Sequence, residues 1–240
     1  MIVTRSPRSY NSQIGVPLSV WLLNENTQIG VFEAGISKPG EMLALRDIIQ
    51  PTIGVFTSLG TAHQENFPSL EAKCLEKLKL FHDTQAIVYS EDDQVLNDCI
   101  SSKNYKGESL NWSAKDVHAA FFIKSIEKKD IETTVSYVWK EKVEGQYKLP
   151  FIDDASVENS ITCAVVSLHL GIEPAHLAER MAKLEPVAMR LEVKEGQHGC
   201  TLINDSYNSD YNSLDIALDF MNRRPDHKGR KRTLILSDIL

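Results

Sequence analysis

The spacing of apolar positions along the chain changes several times, and each change marks an element. TQIGVFEAG (27–35) reads as a short buried strand running into small residues. KPGEMLALRDIIQ (38–50) opens on proline and glycine, then sets Met42, Leu45, Ile48 and Ile49 at helical spacing. PTIGVFTSLG (51–60) is β-rich again. In SLEAKCLEKLKLFH (69–82), Leu70, Cys74, Leu78 and Phe81 form one stripe of an amphipathic helix. QAIVYS (85–90) and DQVLNDCI (93–100) repeat the strand–helix alternation. That alternation predicts a parallel sheet through 27–35, 52–58 and 85–90, covered by helices.

After residue 104 the pattern shifts. Segments 118–130, 131–140 and 145–152 read as antiparallel strands joined by polar turns. SVENSITCAVVSLHLGI (156–172) is a long, mostly apolar helix with Gly171 as its stop, and 173–186 is a second helix ended by Pro186. A hairpin over 189–206, a helix over 214–224 and a buried strand over 232–240 follow. The chain stops on that apolar strand, where a further helix is expected, so the C-terminus reads as a truncation.

Composition narrows the setting. With 42% hydrophobic and 25% charged residues in 240, the chain has the makeup of a globular protein with a sizeable core. A net charge of −7 argues against a general nucleic-acid or anionic-membrane surface while leaving room for a local basic pocket. Cys74, Cys99, Cys163 and Cys200 stand far apart, which suits neither zinc nor a disulfide framework and points to a reducing cytoplasm. No apolar run approaches the roughly 18 residues of a membrane span, and MIVTRSPRSYNSQ lacks a signal core.

Several polar side chains fall where ligands gather in open α/β sheets, beyond the carboxyl ends of strands. Glu33 ends the first predicted strand; it suits Mg²⁺, or it is a charge at a helix N-terminus. His63 and Glu65 follow the second, where His63 is a ligand, a proton-transfer group or a loop residue. Lys77 borders the apolar stripe of the next helix, whereas Lys73 and Lys79 read as ordinary solvated lysines. A half-buried lysine has a lowered pKa and can attack carbon dioxide. Asp205, Tyr207 and Asn208 in NDSYNSDYNS are hydrogen-bonding groups or simply a turn. Arg190 is placed to reach a phosphate or to pair with an acid. No GxxxxGK[ST] phosphate loop occurs in the 240 residues.

YNSQIGVPLSV (10–20), FEAGISKPGEM (32–42), GTAHQENFPSLEAKCLEKLKLF (60–81), ENSITCAVV (158–166) and NDSYNSDYNSL (204–214) together resemble the Mur ligases. These are ATP-dependent amide-forming enzymes of peptidoglycan and cell-wall synthesis. The Asp-Ser-Tyr-Asn element points within them to the branch that joins D-alanyl-D-alanine to UDP-N-acetylmuramoyl-tripeptide. The resemblance implies an α/β fold: a mostly parallel sheet flanked by helices, of the phosphate-loop NTPase type without that loop. It also implies a small antiparallel addition and the start of a second, Rossmann-like domain. Residues 1–187 would be a central ATP-binding domain lacking its phosphate-loop segment, and 188–240 the beginning of the C-terminal domain.

Carried over by motif, the resemblance gives each residue a role. Glu33 would hold the Mg²⁺ on the ATP phosphates, His63 would help hold a second Mg²⁺, and Lys77 would be a carbamylated lysine ligand. Asn159 would lie near adenine, Arg190 and Asp205 would contact the nucleotide, and Asn11, Tyr207 and Asn208 would face the substrates. Ser12 replaces the second residue of an Asn-Asn pair, Ser209-Asp210-Tyr211 replaces Ala-Asn-Pro, and Ala155-Ser156 replaces a His-Asn pair near the adenine. The implied reaction passes through an acyl phosphate, with the missing domains of the same enzyme as partners. The 240 residues alone are expected not to turn over. The alternatives are a different Mur ligase or folylpolyglutamate synthase, and an inactive truncated scaffold.

Overall fold

The computed structural model describes residues 1–60, 63–103, 105–129, 131–185, 190–207, 211–223, 229 and 231–236. The chain divides into two compact units: residues 1–123 with 138–143, and residues 124–137 with 144–240.

In the first unit, β1 (Val3–Arg5) and β2 (Ile29–Val31) pair in parallel, Val3 opposite Ile29. Between them lies α1 (Gly15–Val20). A second run of parallel pairing joins β3 (Ile53–Val55), β4 (Ala86–Ser90) and β5 (Glu108–Ser113). Ala86 to Tyr89 are all buried, as befits a parallel strand covered on both faces. The helices that cover it have local causes. α2 (Glu41–Ile49) stops where Gln50 turns left-handed, at φ 48°, just before Pro51. α3 (Leu70–Leu78) starts at Ser69, whose hydroxyl accepts the Ala72 N–H at 3.1 Å, and α4 (Gln94–Ser102) starts at Asp93, which accepts the Leu96 N–H at 3.1 Å. Val16, Met42, Leu45, Phe56, Cys74, Phe81 and Ile87 meet in one buried cluster.

α3 continues into a single 3₁₀ turn, Lys79–Phe81, which turns Phe81 onto β3. There Gly54 leaves the room: a Cβ on it would lie 2.6 Å from Phe81 Cδ1. Phe81 also meets Phe56 edge-on, with ring centroids 6.3 Å apart. Glu76, buried on α3, accepts the Gly40 N–H at 2.6 Å and so ties α3 to the start of α2.

The sheet order is β3-β4-β5-β6-β7-β8, with β6 (Phe121–Lys129) parallel to β5. The links from β6 to β7 (Glu132–Trp139) and on to β8 (Val143–Leu149) are two and three residues long, which only antiparallel neighbours allow. In the second unit Thr133, Val135 and Tyr137 alternate inward, and Tyr147 reaches Ser160 Oγ of α5 (Asp154–His169) at 3.2 Å. α6 (Pro174–Met181), the antiparallel pair β9 (Glu192–Glu195) and β10 (Thr201–Asn204), and α7 (Tyr211–Arg223) complete it. The four cysteines are free thiols, and no helix among the described residues is long and apolar enough to cross a membrane.

The α/β class, the parallel strands and the antiparallel addition agree with the sequence pattern. Three details do not. The strand predicted over 27–35 is three residues long and pairs with β1, not with the sheet of β3 and β4, because beyond it the chain bonds elsewhere: Glu33 N–H to Ser6 Oγ at 3.3 Å and Gly35 N–H to the Asn11 carbonyl at 2.7 Å. α6 closes at Met181 and tightens through Lys183 N–H to Arg180 O and Leu184 N–H to Met181 O, short of Pro186, which lies outside the described residues. Residues 231–236 form no strand; Leu234, Ile235 and Leu236 stand exposed, with no pairing strand among the described residues. β1, α1 and β5 are additions to the predicted set.

Gly54→Ala is expected to push Phe81 off β3 and to cost roughly 1–3 kcal/mol of stability, read as a lower denaturant midpoint at unchanged slope. An unchanged midpoint would contradict this packing.

Candidate active site

The loop from β2 to α2 carries Glu33. Its exposed carboxylate accepts the Asn11 side-chain N–H at 2.8 Å, and the Asn11 carbonyl accepts Gly35 N–H, so Asn11 grips both sides of this turn. A Cβ on Gly35 would stand 3.2 Å from Asn11 Cγ, a close approach that suits glycine. At the far end of the loop Glu41 folds back. It accepts Ser37 N–H at 2.6 Å, Lys38 N–H at 2.9 Å and the Ser37 hydroxyl, satisfying loop donors just ahead of the helix. The Ser37 N–H holds its carboxyl below the ordinary value of 4.5, burial opposes this, and the Lys38 N–H adds to the lowering.

The loop from β3 to α3 carries His63, exposed and left-handed at φ 58°, where it starts a 3₁₀ turn over Gln64–Asn66. Histidine is among the side chains that tolerate that region best. Its Nδ1 lies 3.9 Å from Glu65.

α3 aims two lysines at this same loop. Lys77 Nζ donates to the Ser58 carbonyl at 3.2 Å and sits 5.3 Å from the centre of the Phe56 ring. Burial lowers its pKa first; the positive charge of Lys73 lowers it further, and Cys74 opposes. Lys73 Nζ donates to the Gly60 carbonyl at 2.6 Å. Sequence reasoning set Lys73 aside as solvated, yet it is 2% exposed, one of the most enclosed side chains in the protein. The signal was available: residues four apart on a helix lie about 40° apart, so Lys73 shares the face of Lys77. Burial lowers its pKa, against the pull of Glu65. Lys79, by contrast, is exposed and pairs with Glu76 at 2.5 Å.

In the second unit the Arg190 guanidinium stacks over the Tyr207 ring, 4.3 Å from its centroid. Asp205 accepts the N–H of Leu191, which is left-handed at φ 47°, a strained setting for a bulky side chain. Asp205 thus holds the turn that presents Arg190. Asn159 is exposed on α5, and Asn208 lies outside the described residues.

The structure therefore brings together Asn11 with Glu33, Lys77 with the loop that leads to His63, and Arg190 with Tyr207 and Asp205. Among the described residues no hydrogen bond or ion pair joins Glu33 to His63 or Lys77, and no three His, Cys, Asp or Glu side chains gather as a metal site.

Solved structures set the class of fold. MurF from Acinetobacter baumannii matches with a TM-score of 0.80 at 18% identity, over 93% of this chain and 49% of that one. A MurF ligase from Thermotoga maritima, solved in complex with ADP, matches with a TM-score of 0.78 at 22% identity, over 93% and 51%. Curated relatives include the UDP-N-acetylmuramoyl-tripeptide–D-alanyl-D-alanine ligases of Bacillus subtilis, 26% identical over 99% of this chain and 50% of that protein, and of Borreliella burgdorferi, 29% identical over 85% and 43%. The chain spans about half the length of the curated relatives it matches. Residues 1–167 match the Mur ligase middle domain, and the chain belongs to that family.

Glu41 sets a pH dependence. Its folded pKa is depressed, so its contribution is complete above pH 4.5 and is lost as pH falls through the lowered value. Amide exchange at Ser37 and Lys38 is expected to lose protection over that window, and Glu41→Ala, which removes the acceptor, should remove the protection at neutral pH as well. Equal protection in both proteins at pH 7 would contradict the assignment.

Proposed function

We propose that the chain is the working centre of an ATP-dependent ligase of peptidoglycan precursor synthesis, which joins D-alanyl-D-alanine to UDP-N-acetylmuramoyl-tripeptide through an acyl phosphate. In this reading residues 1–187 form the central ATP-binding domain and 188–240 open the C-terminal domain. One observation carries it: α3 turns a half-buried Lys77, with no carboxylate partner among the described residues, onto the strand-end loop that holds His63. The names of relatives aligned over nearly the whole chain support the same reading.

The residues present fit Mg²⁺. Among the described residues the Glu33 side chain meets only the neutral Asn11 amide, which leaves its negative charge available to a hard cation, and a carbamate on Lys77 would add a second anionic oxygen donor. Glu33 would hold the Mg²⁺ on the ATP phosphates, His63 would help hold a second Mg²⁺, and carbamylated Lys77 would serve as a metal ligand; the metals would offset charge on the transferring phosphoryl group. Asn11 orients Glu33, and Phe56 and Ser58 orient Lys77. Arg190, stacked on Tyr207 and steadied through Asp205, presents a forked donor suited to a nucleotide phosphate. Asn159 is assigned to the adenine end, and Asn11, Tyr207 and Asn208 to the substrate side.

Phosphoryl transfer also needs a cradle of backbone amides and a lysine around the β and γ phosphates. The test measures phosphate release from ATP with the tripeptide nucleotide and D-alanyl-D-alanine, using this chain and a version carrying a phosphate loop ahead of residue 1. Release is expected from the longer version alone and should fall by roughly 10²-fold or more in Lys77→Ala. Turnover by the 240 residues unaided, or release driven by a folate and glutamate instead, would overturn the proposal.

A further inference from the structure

The buried Lys73 is the feature of α3 that the proposed ligase role leaves without a task. Lys73 and Lys77 are four residues apart, so their side chains leave the same face of the helix, with Cβ atoms about 5–6 Å apart. Both ammonium groups end on carbonyls of one loop, two residues apart: Gly60 O for Lys73 and Ser58 O for Lys77. Two like charges aimed at one short loop repel each other. That repulsion turns to attraction once one of the pair becomes an anion. Lys73 is 2% exposed, so its charge is poorly screened by solvent. Glu65, on the same loop, also acts on Lys73, but its side chain is 72% exposed and its own field is largely damped by water.

We infer that Lys73 is a positioning residue that supplies the fixed countercharge for a carbamate on Lys77. The inference rests on the reading of Lys77 as the carbamylated lysine. In the step concerned, the lone pair of the neutral Lys77 amine forms a bond to the carbon of carbon dioxide. One C=O π pair moves onto oxygen, and one amine proton leaves to water. The remaining N–H can keep its donation to Ser58 O, two residues from the Gly60 carbonyl that holds Lys73. Lys73 therefore favours the modification before any metal arrives, because its repulsion of the Lys77 ammonium becomes attraction for the carbamate.

The test uses the whole 240-residue chain, metal-free, with carbon-13 bicarbonate, and follows the carbamate resonance as bicarbonate is raised. Wild type is expected to show a resonance that Lys77→Ala abolishes. Lys73→Gln, which keeps a donor for Gly60 O but removes the charge, should need about tenfold more bicarbonate for the same occupancy, the scale of one poorly screened charge at close range. Lys73→Arg, which keeps the charge, should stay within about twofold of wild type. Equal occupancy in wild type and Lys73→Gln overturns the countercharge while leaving Lys77 carbamylated. Equal loss in the Gln and Arg variants also overturns it, since Lys73 would then be only a loop clamp. Absence of any Lys77-dependent resonance in wild type overturns the reading of Lys77 and this inference together. Should Lys73→Gln fail to fold, a rotational-echo measurement on wild type decides. A separation of about 5 Å or less between the carbamate carbon and the nitrogen-15 of Lys73 supports the pair, and one beyond about 8 Å overturns it.

Discussion

The packing of Phe81 on the bare backbone of Gly54 is the constraint on which the proposed site depends. A helix that follows a parallel strand can slide or roll on the sheet unless something fixes its register. Here a 3₁₀ turn at the end of α3 delivers a phenyl ring to the one position on β3 where no Cβ intervenes. The same ring meets Phe56 edge-on, and Phe56 lies beneath the Lys77 ammonium. Gly54, Phe81, Phe56 and Lys77 form a single chain of contacts, so the roll of α3 is converted into the placement of a nitrogen beside Ser58. The spacing of lysine and phenylalanine along α3 has this packing as its cause: four residues bring both onto the face that meets β3.

Around that anchor the polar groups divide into those that hold loops and those left available. Asn11 and Glu41 hold the two ends of the Glu33 loop, and Glu76 joins α2 to α3 through the Gly40 N–H. Lys73 holds the β3 loop at Gly60. Glu33 and Lys77 are held by neutral partners, the Asn11 amide and the Ser58 carbonyl, each on a loop or helix that its neighbours have fixed. Such an arrangement suits groups meant to meet a ligand, because a side chain already locked in an ion pair would have to break it to bind one.

The parts legible in the sequence are those with strong periodicity or a local chemical cause. α2, α3, α4 and the β6 to β8 ribbon follow from apolar spacing and from breakers such as Pro51. β1, α1 and β5 escaped because VTR is three residues long, GVPLSV is six residues long and contains Pro17, and ESLNWS mixes polar and apolar residues without a clean alternation. The shortness of β2 is a tertiary effect: the Ser6 hydroxyl and the Asn11 carbonyl, distant in sequence, take the N–H groups that a longer ladder would have used. The positions of Glu33, His63 and Lys77 at strand ends and on the following helix were legible, whereas the burial of Lys73 was signalled only by its four-residue spacing from Lys77. A lysine flanked by glutamate, alanine and cysteine reads as solvated until the β3 loop folds over it.

The central claim is that the β3–α3 unit positions Lys77 as a modified, oxygen-donating side chain at the strand-end loop. A crystal structure of the chain grown in bicarbonate at mildly alkaline pH tests it most directly. The account predicts planar density extending from Lys77 Nζ by one carboxylate group, with the nitrogen still within hydrogen-bond reach of the Ser58 carbonyl and above the Phe56 ring. An unmodified Lys77 swung into bulk solvent, with Phe81 still seated on Gly54, would contradict it.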